Sequence, residues 1–346
     1  MSPAGRIPEV PERFRSQYEP FQTTRWRGWT DRALRGGDIG EWLERPDQLL
    51  DERAERWFKQ GRNRLAEVLW PVAADGSPRP SLSSQPGAAL LQAAPDGSNA
   101  PRTVVVKEFG AAGFAGNLRA LLRPSRCARA WRQAFLLLER GFRTPRPLWI
   151  ALPREEGKRG PSYLAVETAP PHTRLREALK QLRRGADEVE LGDGRRIPAD
   201  LLLRAVARFL RRMHDAGIWH RDFSGGNLLI PNDWRRAGRG NGPDLAGEGE
   251  TTDSLPPFIL IDVNRCRFFE PGALSLRQRM QDLERVSLGE GRQRAFYAAY
   301  AEADPVLENA AAVYLRHARR YRRMRESRNP IARLWRKIFT YWLRWD

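Results

Sequence analysis

Apolar and polar positions change their rhythm along this chain, from short β-like runs to helical spacing. Residues 103–109, Thr-Val-Val-Val-Lys-Glu-Phe, are compact and β-branched and predict a strand, and a further strand is expected over 66–72. From 125 to 140 the period is helical: Trp131, Ala134, Phe135 and Leu138 fall at i, i+3, i+4 and i+7, and Gly141 can close the helix. Thr144-Pro145-Arg146-Pro147 breaks it, and 148–152 and 163–167 read as two strands joined by a charged turn. Beyond them the chain reads as mostly helical. Over 199–216, Leu202, Val206, Phe209, Leu210 and Met213 share one face, with Arg204, Arg208, Arg211 and Arg212 largely elsewhere. Short apolar strands are expected at 228–230 and 258–261.

Strands therefore precede helices, which predicts an α+β, bilobal chain with a small β-rich lobe followed by a larger helical one. Residues 1–60, charged and rich in Arg and Trp without a clear period, read as an N-terminal extension with short helices. The strand lobe then covers 61–168, with a Pro-, Ser- and Gly-rich insertion at 73–102. The helical lobe covers 169–346, with an insertion at 231–257. Its last segment, 328–346, sets Ile331, Leu334, Trp335, Ile338, Phe339, Trp342 and Leu343 at helical spacing, with Arg333, Arg336, Lys337 and Arg344 on other faces or at the borders. Two readings stay open for it: a basic amphipathic helix lying on a membrane surface, or a terminal helix whose stripe joins the core.

Composition narrows the class. A chain of 346 residues has room for two domains or one bilobal one, and 41% hydrophobic content with 12 Trp argues against disorder. No apolar stretch approaches the ~18 residues of a membrane span, and no apolar run follows the N-terminus, so no secretory signal is expected. Cys127 and Cys266 alone exclude a disulfide scaffold or a multi-Cys zinc site and fit a reducing cytosol. The charge is +18, and of 60 cationic residues only Lys59, Lys107, Lys158, Lys180 and Lys337 are lysine. An arginine-biased genome accounts for part of this; the functional reading is an anionic partner. Nucleic acid is not the expected one, because no recognition motif accompanies the charge.

The chemistry concentrates in His220-Arg221-Asp222-Phe223-Ser224-Gly225-Gly226-Asn227, directly after the Leu-rich helix. An Asp and an Asn held on one loop can divide two tasks. The carboxylate orients a hydroxyl and takes its proton, while the amide oxygen helps hold Mg²⁺ on phosphates. A second acid, Asp262, closes the apolar strand at 258–261. Alone, each is an ordinary turn or cap; in this order they describe phosphotransfer. Lys107 adds a compact ammonium on a strand of an Arg-dominated chain, suited to non-bridging phosphate oxygens where a guanidinium would not fit. His220 reads as structural, its ring beneath the loop. Cys266 reads as a small buried filler.

Across Val104 to Lys107, the Trp131 helix with Thr144-Pro145, Met213 to Asn227, and Leu260 to Phe268, the chain resembles the protein-kinase-like superfamily. Within it, it is most similar to the bacterial lipopolysaccharide core kinase family, which phosphorylates Kdo or heptose sugars of the inner core. The resemblance covers roughly 100–300. It implies ATP and Mg²⁺, with Lys107 on the α- and β-phosphates, Asp222 as catalytic base, and Asn227 and Asp262 on the metal. Glu167 falls where such kinases change lobes, so backbone groups at 167–169 are implied to meet adenine. The implied acceptor is a lipid-linked sugar at the cytoplasmic face of the membrane, with the protein cytoplasmic and peripheral.

Three departures stand beside this. No G-x-G-x-x-G precedes Lys107; the helix at 125–140 carries Ala128, Ala130 and Ala134 where a Glu partner for the lysine belongs; and Asp262 is followed by Val263-Asn264 rather than Phe-Gly. Glu139 is too near the helix end and Glu108 adjoins the lysine, so the acidic partner is not named. A kinase for a small-molecule or protein acceptor, and a pseudokinase that binds nucleotide or lipid, are the alternatives.

Overall fold

The computed structural model describes residues 7–34, 39–60, 63–69, 103–110, 125–154, 160–232, 258–286, 288–302, 304–310 and 313. They fall into two compact units: the first holds described residues up to 172 together with 227–232 and 258–266, the second 173–226 and those from 267 onward. The return of 227–232 and 258–266 to the first unit departs from the reading of 169–346 as one helical lobe. The insertion at 73–102, the stretch 233–257 and the 328–346 segment lie outside the described residues.

The first unit is built on a seven-stranded antiparallel sheet. Its strands are β1 (Tyr18–Gln22), β2 (Trp26–Asp31), β3 (Ala54–Lys59), β4 (Leu65–Leu69), β5 (Thr103–Phe109), β6 (Pro147–Pro153) and β7 (Ser162–Glu167), in the order β1-β2-β6-β7-β5-β4-β3. Its helices are α1 (Glu12–Arg15), α2 (Ile39–Glu44), α3 (Pro46–Glu52) and α4 (Arg126–Glu139). Side chains alternate across the sheet. Val104, Val106, Trp149 and Ala165 pack on one face with Trp42, Leu49 and Leu50 of α2 and α3. Phe109, Ile150, Leu152 and Leu164 pack on the other with Cys127, Trp131 and Phe135 of α4.

The first 60 residues are thus not an extension of short helices: they supply three strands and the cover of one face. The signal was weak for a physical reason. β2 buries Trp26, Gly28 and Thr30, so its inward positions include two small residues that carry no hydrophobic pattern. Gly28 is required there, since a Cβ would lie 1.7 Å from the carbonyl oxygen of Ile150 on β6. Of the strand expected at 66–72, Leu65–Leu69 is observed, and 70–72 lie outside the described residues.

After α4, whose first turn is capped by Ser125 Oγ accepting from the Ala128 N–H (3.0 Å), the chain passes Thr144 and meets two short strands of the same unit. These are Leu228–Pro231 and Ile259–Leu260, antiparallel with Leu228 opposite Leu260. Thr144 Oγ1 donates to the Leu260 carbonyl (2.8 Å), and Leu260 N–H donates to the Arg143 carbonyl (2.9 Å).

The second unit carries α5 (Leu175–Arg183), α6 (Ala199–Asp215), α7 (Leu276–Leu283) and α8 (Glu290–Ala301). Leu202, Val206, Phe209, Leu210 and Met213 form the buried stripe of α6, as the helical period predicts. Arg211 of α6 donates to the Ala301 carbonyl (3.1 Å) at the end of α8. Two short strand pairs, Glu188–Glu190 with Arg196–Pro198 and Ile218–Trp219 with Arg267–Phe268, interrupt the helices. Among the described residues no helix is long and apolar enough to cross a membrane.

Candidate active site

Lys107 sits on β5 on the face that α4 covers, because Val104 and Val106 take the opposite face. Its Nζ bonds Asp262 Oδ1 at 2.8 Å, a contact between residues 155 positions apart, and lies 5.0 Å from the Phe109 ring centre. Asp262 is therefore the acidic partner that the sequence left unnamed. Glu108 is engaged instead with Arg64 Nε (2.7 Å), and Glu139 is exposed at the end of α4.

Asp262 follows the buried Ile259–Leu260 strand and takes a left-handed backbone, φ 55°, which Asp tolerates better than most residues. It begins the turn Val263–Arg265, and Asn264 Nδ2 donates to the same Oδ1 at 2.9 Å. From α4, Gln133 Nε2 donates to the Cys266 carbonyl (3.1 Å), so the helix beside Lys107 also holds the end of this turn. Cys266 is buried, as expected of a filler. Asn227 joins the group through its backbone: its carbonyl accepts from Ile261 N–H at 3.0 Å, one residue before Asp262.

The first unit thus brings Lys107, Asp262 and Asn227 together on adjoining segments. Among the described residues no cluster of three or more His, Cys, Asp or Glu could hold a metal by itself. One carboxylate and one amide are instead the sparse oxygen donor set that suits Mg²⁺ when phosphates and water complete its shell.

Glu167 lies elsewhere on the sheet. Lys107 pairs with Leu164 across β5 and β7, so Glu167 is three residues, on the order of 10 Å, further along the strand. Its side chain is buried against Arg146, with Nε–Oε1 at 2.7 Å, and Arg146 also pairs with Asp31 at 2.6 Å. Burial raises the Glu167 carboxyl above its ordinary value against the pull of Arg146. The carboxylate belongs to the sheet's own ion-pair group.

In the second unit, the loop opens on Ile218–Trp219, clamped to Arg267–Phe268. His220 is fully buried with its ring edge-on to Phe223 (5.8 Å), which is the structural placement expected of it. Its backbone N–H donates to Asp282 Oδ2 of α7 at 2.9 Å. Behind Asp282 stand His214 and Tyr300, with His214 Nδ1 2.8 Å from the Tyr300 hydroxyl; burial pushes the imidazole below its usual value. Arg221 is in the left-handed region, φ 65°, its guanidinium 5.1 Å from the Trp219 ring centre. Asp222 Oδ1 accepts from Arg285 Nη1 at 2.7 Å. Asp282 and Arg285 carry no pattern in the sequence, since one is a lone acid in a short, mostly polar helix and the other one arginine among many.

The loop closes on α5. Gly225 O accepts from the Arg176 N–H at 2.6 Å, and a Cβ on Gly225 would lie 2.8 Å from Arg176 Cα. Neither backbone can yield cheaply. Gly225→Ala is expected to destabilise the protein by about 1–3 kcal/mol, the usual cost of overpacking, measured by urea unfolding; wild-type stability would show that the loop moves freely.

Comparison with known proteins bears on this geometry. None of the curated proteins compared matches the chain. Among solved structures, "WaaP in complex with acyl carrier protein" aligns over 82% of this chain and 97% of its own, at 17% identity and a TM-score of 0.43, too distant to bear on the site. The model of the lipopolysaccharide kinase (Kdo/WaaP) family matches residues 114–298, a span that includes Asp222, Asn227, Asp262 and Arg285. That match covers more than half of the chain, which therefore belongs to the lipopolysaccharide kinase (Kdo/WaaP) family and is a kinase.

Proposed function

We propose that this kinase transfers the γ-phosphate of ATP to a hydroxyl of an inner-core sugar of lipopolysaccharide, Kdo or heptose. The first unit would serve as the small lobe and the second as the large lobe of a protein-kinase-like fold. The observation that carries the reading is the 2.8 Å contact of Lys107 with Asp262, which pairs the proposed phosphate-binding cation with the proposed metal-binding acid.

Lys107 then holds the α- and β-phosphates, and backbone groups at 167–169 meet adenine. Asp262 and Asn227 would hold Mg²⁺, which would supply positive charge to offset that of the phosphates. The acceptor oxygen bonds to the γ-phosphorus as the bond to the β,γ-bridging oxygen breaks. Asp222 takes the hydroxyl proton, and ADP leaves. The acceptor is lipid-linked, so the reaction belongs at the cytoplasmic face of the membrane. There the cations and apolar residues of 328–346 would meet anionic lipid, each cation contributing ~1 kcal/mol near the surface.

Incubation with labelled ATP, Mg²⁺ and dephosphorylated lipopolysaccharide tests this, with label expected in the lipid fraction. Label confined to soluble small molecules or protein would overturn the acceptor. Lys107→Met is expected to slow transfer roughly 10²–10³-fold, the scale of losing one charged donor to the reacting group. A rate within a factor of two of wild type would remove Lys107 from the site.

A further inference from the structure

We propose that Arg285 is a positioning residue for Asp222; this rests on the reading of Asp222 as the base. One short stretch, 282–285, grips the loop at two points. Asp282 Oδ2 takes the His220 backbone N–H at 2.9 Å, and Arg285 Nη1 reaches Asp222 Oδ1 at 2.7 Å. The residue between the gripped positions is Arg221, whose φ of 65° is a conformation that side-chain-bearing residues hold only when their surroundings impose it. Its own guanidinium lies over Trp219, and Arg285, 63 residues away, brings a cation to Asp222.

The two grips differ in kind. Asp282 is fully buried and belongs to the packing of the second unit. Arg285 and Asp222 have side chains 40% and 30% exposed, and an ion pair so open to water adds little to stability. Its consequence is directional. A charge-assisted N–H bond to one carboxylate oxygen restrains the rotation of the side chain, and with it the direction from which the other oxygen can accept a proton. A proton acceptor held in this way meets a hydroxyl without a search over rotamers, which is where positioning contributes to rate.

The test uses the full-length protein with ATP, Mg²⁺ and dephosphorylated lipopolysaccharide, comparing wild type, Arg285→Ala, Arg285→Lys and Asp222→Asn. Arg285→Ala is expected to lower kcat roughly 10²-fold, the scale of misplacing a catalytic group by about 1 Å, with KM for ATP unchanged. Arg285→Lys should lie between it and wild type. Guanidinium chloride, well below denaturing concentrations, should raise the rate of Arg285→Ala and not that of wild type.

Unchanged kcat in Arg285→Ala, or a rise confined to KM for ATP, overturns the proposal. So does an Arg285→Lys variant that folds and is as slow as Arg285→Ala with no response to guanidinium. An inactive Asp222→Asn beside a fully active Arg285→Ala sinks the positioning role and leaves the base in place. A fully active Asp222→Asn removes the base itself.

Discussion

Asp222→Asn is expected to lower phosphoryl transfer by roughly 10²–10⁴-fold, the range that a positioned general base supplies, while melting stays as in wild type. The substitution is close to isosteric, and its amide oxygen can still accept from Arg285, so the loop keeps its shape. The grip of Asp282 on the His220 backbone and the burial of Phe223 do not involve the altered group. The variant loses only the negative charge and the ability to take a proton. Initial rates with labelled ATP, alongside a thermal melt, check both halves of the expectation. A transfer rate close to wild type would mean that the hydroxyl proton leaves by another route.

The second large effect concerns the sheet rather than the chemistry. Arg146→Met is expected to cost about 3–5 kcal/mol, because it strands buried carboxylates that shared one guanidinium. Asp31 and Glu167 have side chains only 1% and 5% exposed and lie within 2.7 Å of Arg146 nitrogens. The same cluster holds Tyr18, whose hydroxyl donates to the Pro147 carbonyl at 2.5 Å, so β1, β2, β6 and β7 all meet there. Burial already raises the Glu167 carboxyl, and loss of Arg146 raises it further. A carboxyl raised above its unfolded value of ~4.3 adds stability below that value and loses it as pH climbs through the folded one. The deficit of Arg146→Met should therefore be larger at about pH 8 than at about pH 5. Replacing all three charges together, with Asp31→Leu and Glu167→Met, should recover much of the loss, since an apolar cluster carries no desolvation cost. Urea unfolding at the two pH values decides it; a deficit that shrinks with rising pH would contradict the assignment.

Where the sequence spoke clearly, it did so through local period. The strand at 103–109 is observed with those bounds, and the helices at 125–140 and 199–216 appear as Arg126–Glu139 and Ala199–Asp215. The loop 220–227 was legible because its Asp, glycines and Asn stand close together in the chain. What escaped depends on distant partners. β2 makes sense only against β6, more than a hundred residues later, because Gly28 contributes a close approach rather than a hydrophobic contact. The strand pairs at 188–190 with 196–198 and 218–219 with 267–268 are too short to show alternation. The kinase-like pattern places an acidic partner for Lys107 on the following helix; the structure supplies it from a turn 155 residues away. Asp282 and Arg285 act through single contacts, which leave no period to read.

The order of the sheet also sets a timetable. During synthesis the first strands to emerge can form a β1–β2 hairpin and a β3-β4-β5 meander, and these two pieces share no strand pairing. The link between them is the β6–β7 hairpin, which pairs with β2 on one side and β5 on the other. Until residue 167 has left the ribosome, β2 and β5 each present an open edge, and open edges recruit other chains. Nascent protein is thus exposed to aggregation over a window set by translation speed along the 38 residues from 110 to 147 and the hairpin beyond them. A keystone made last gives the cell a reason to shield this chain while it is being made, and gives anyone producing it a reason to slow its synthesis.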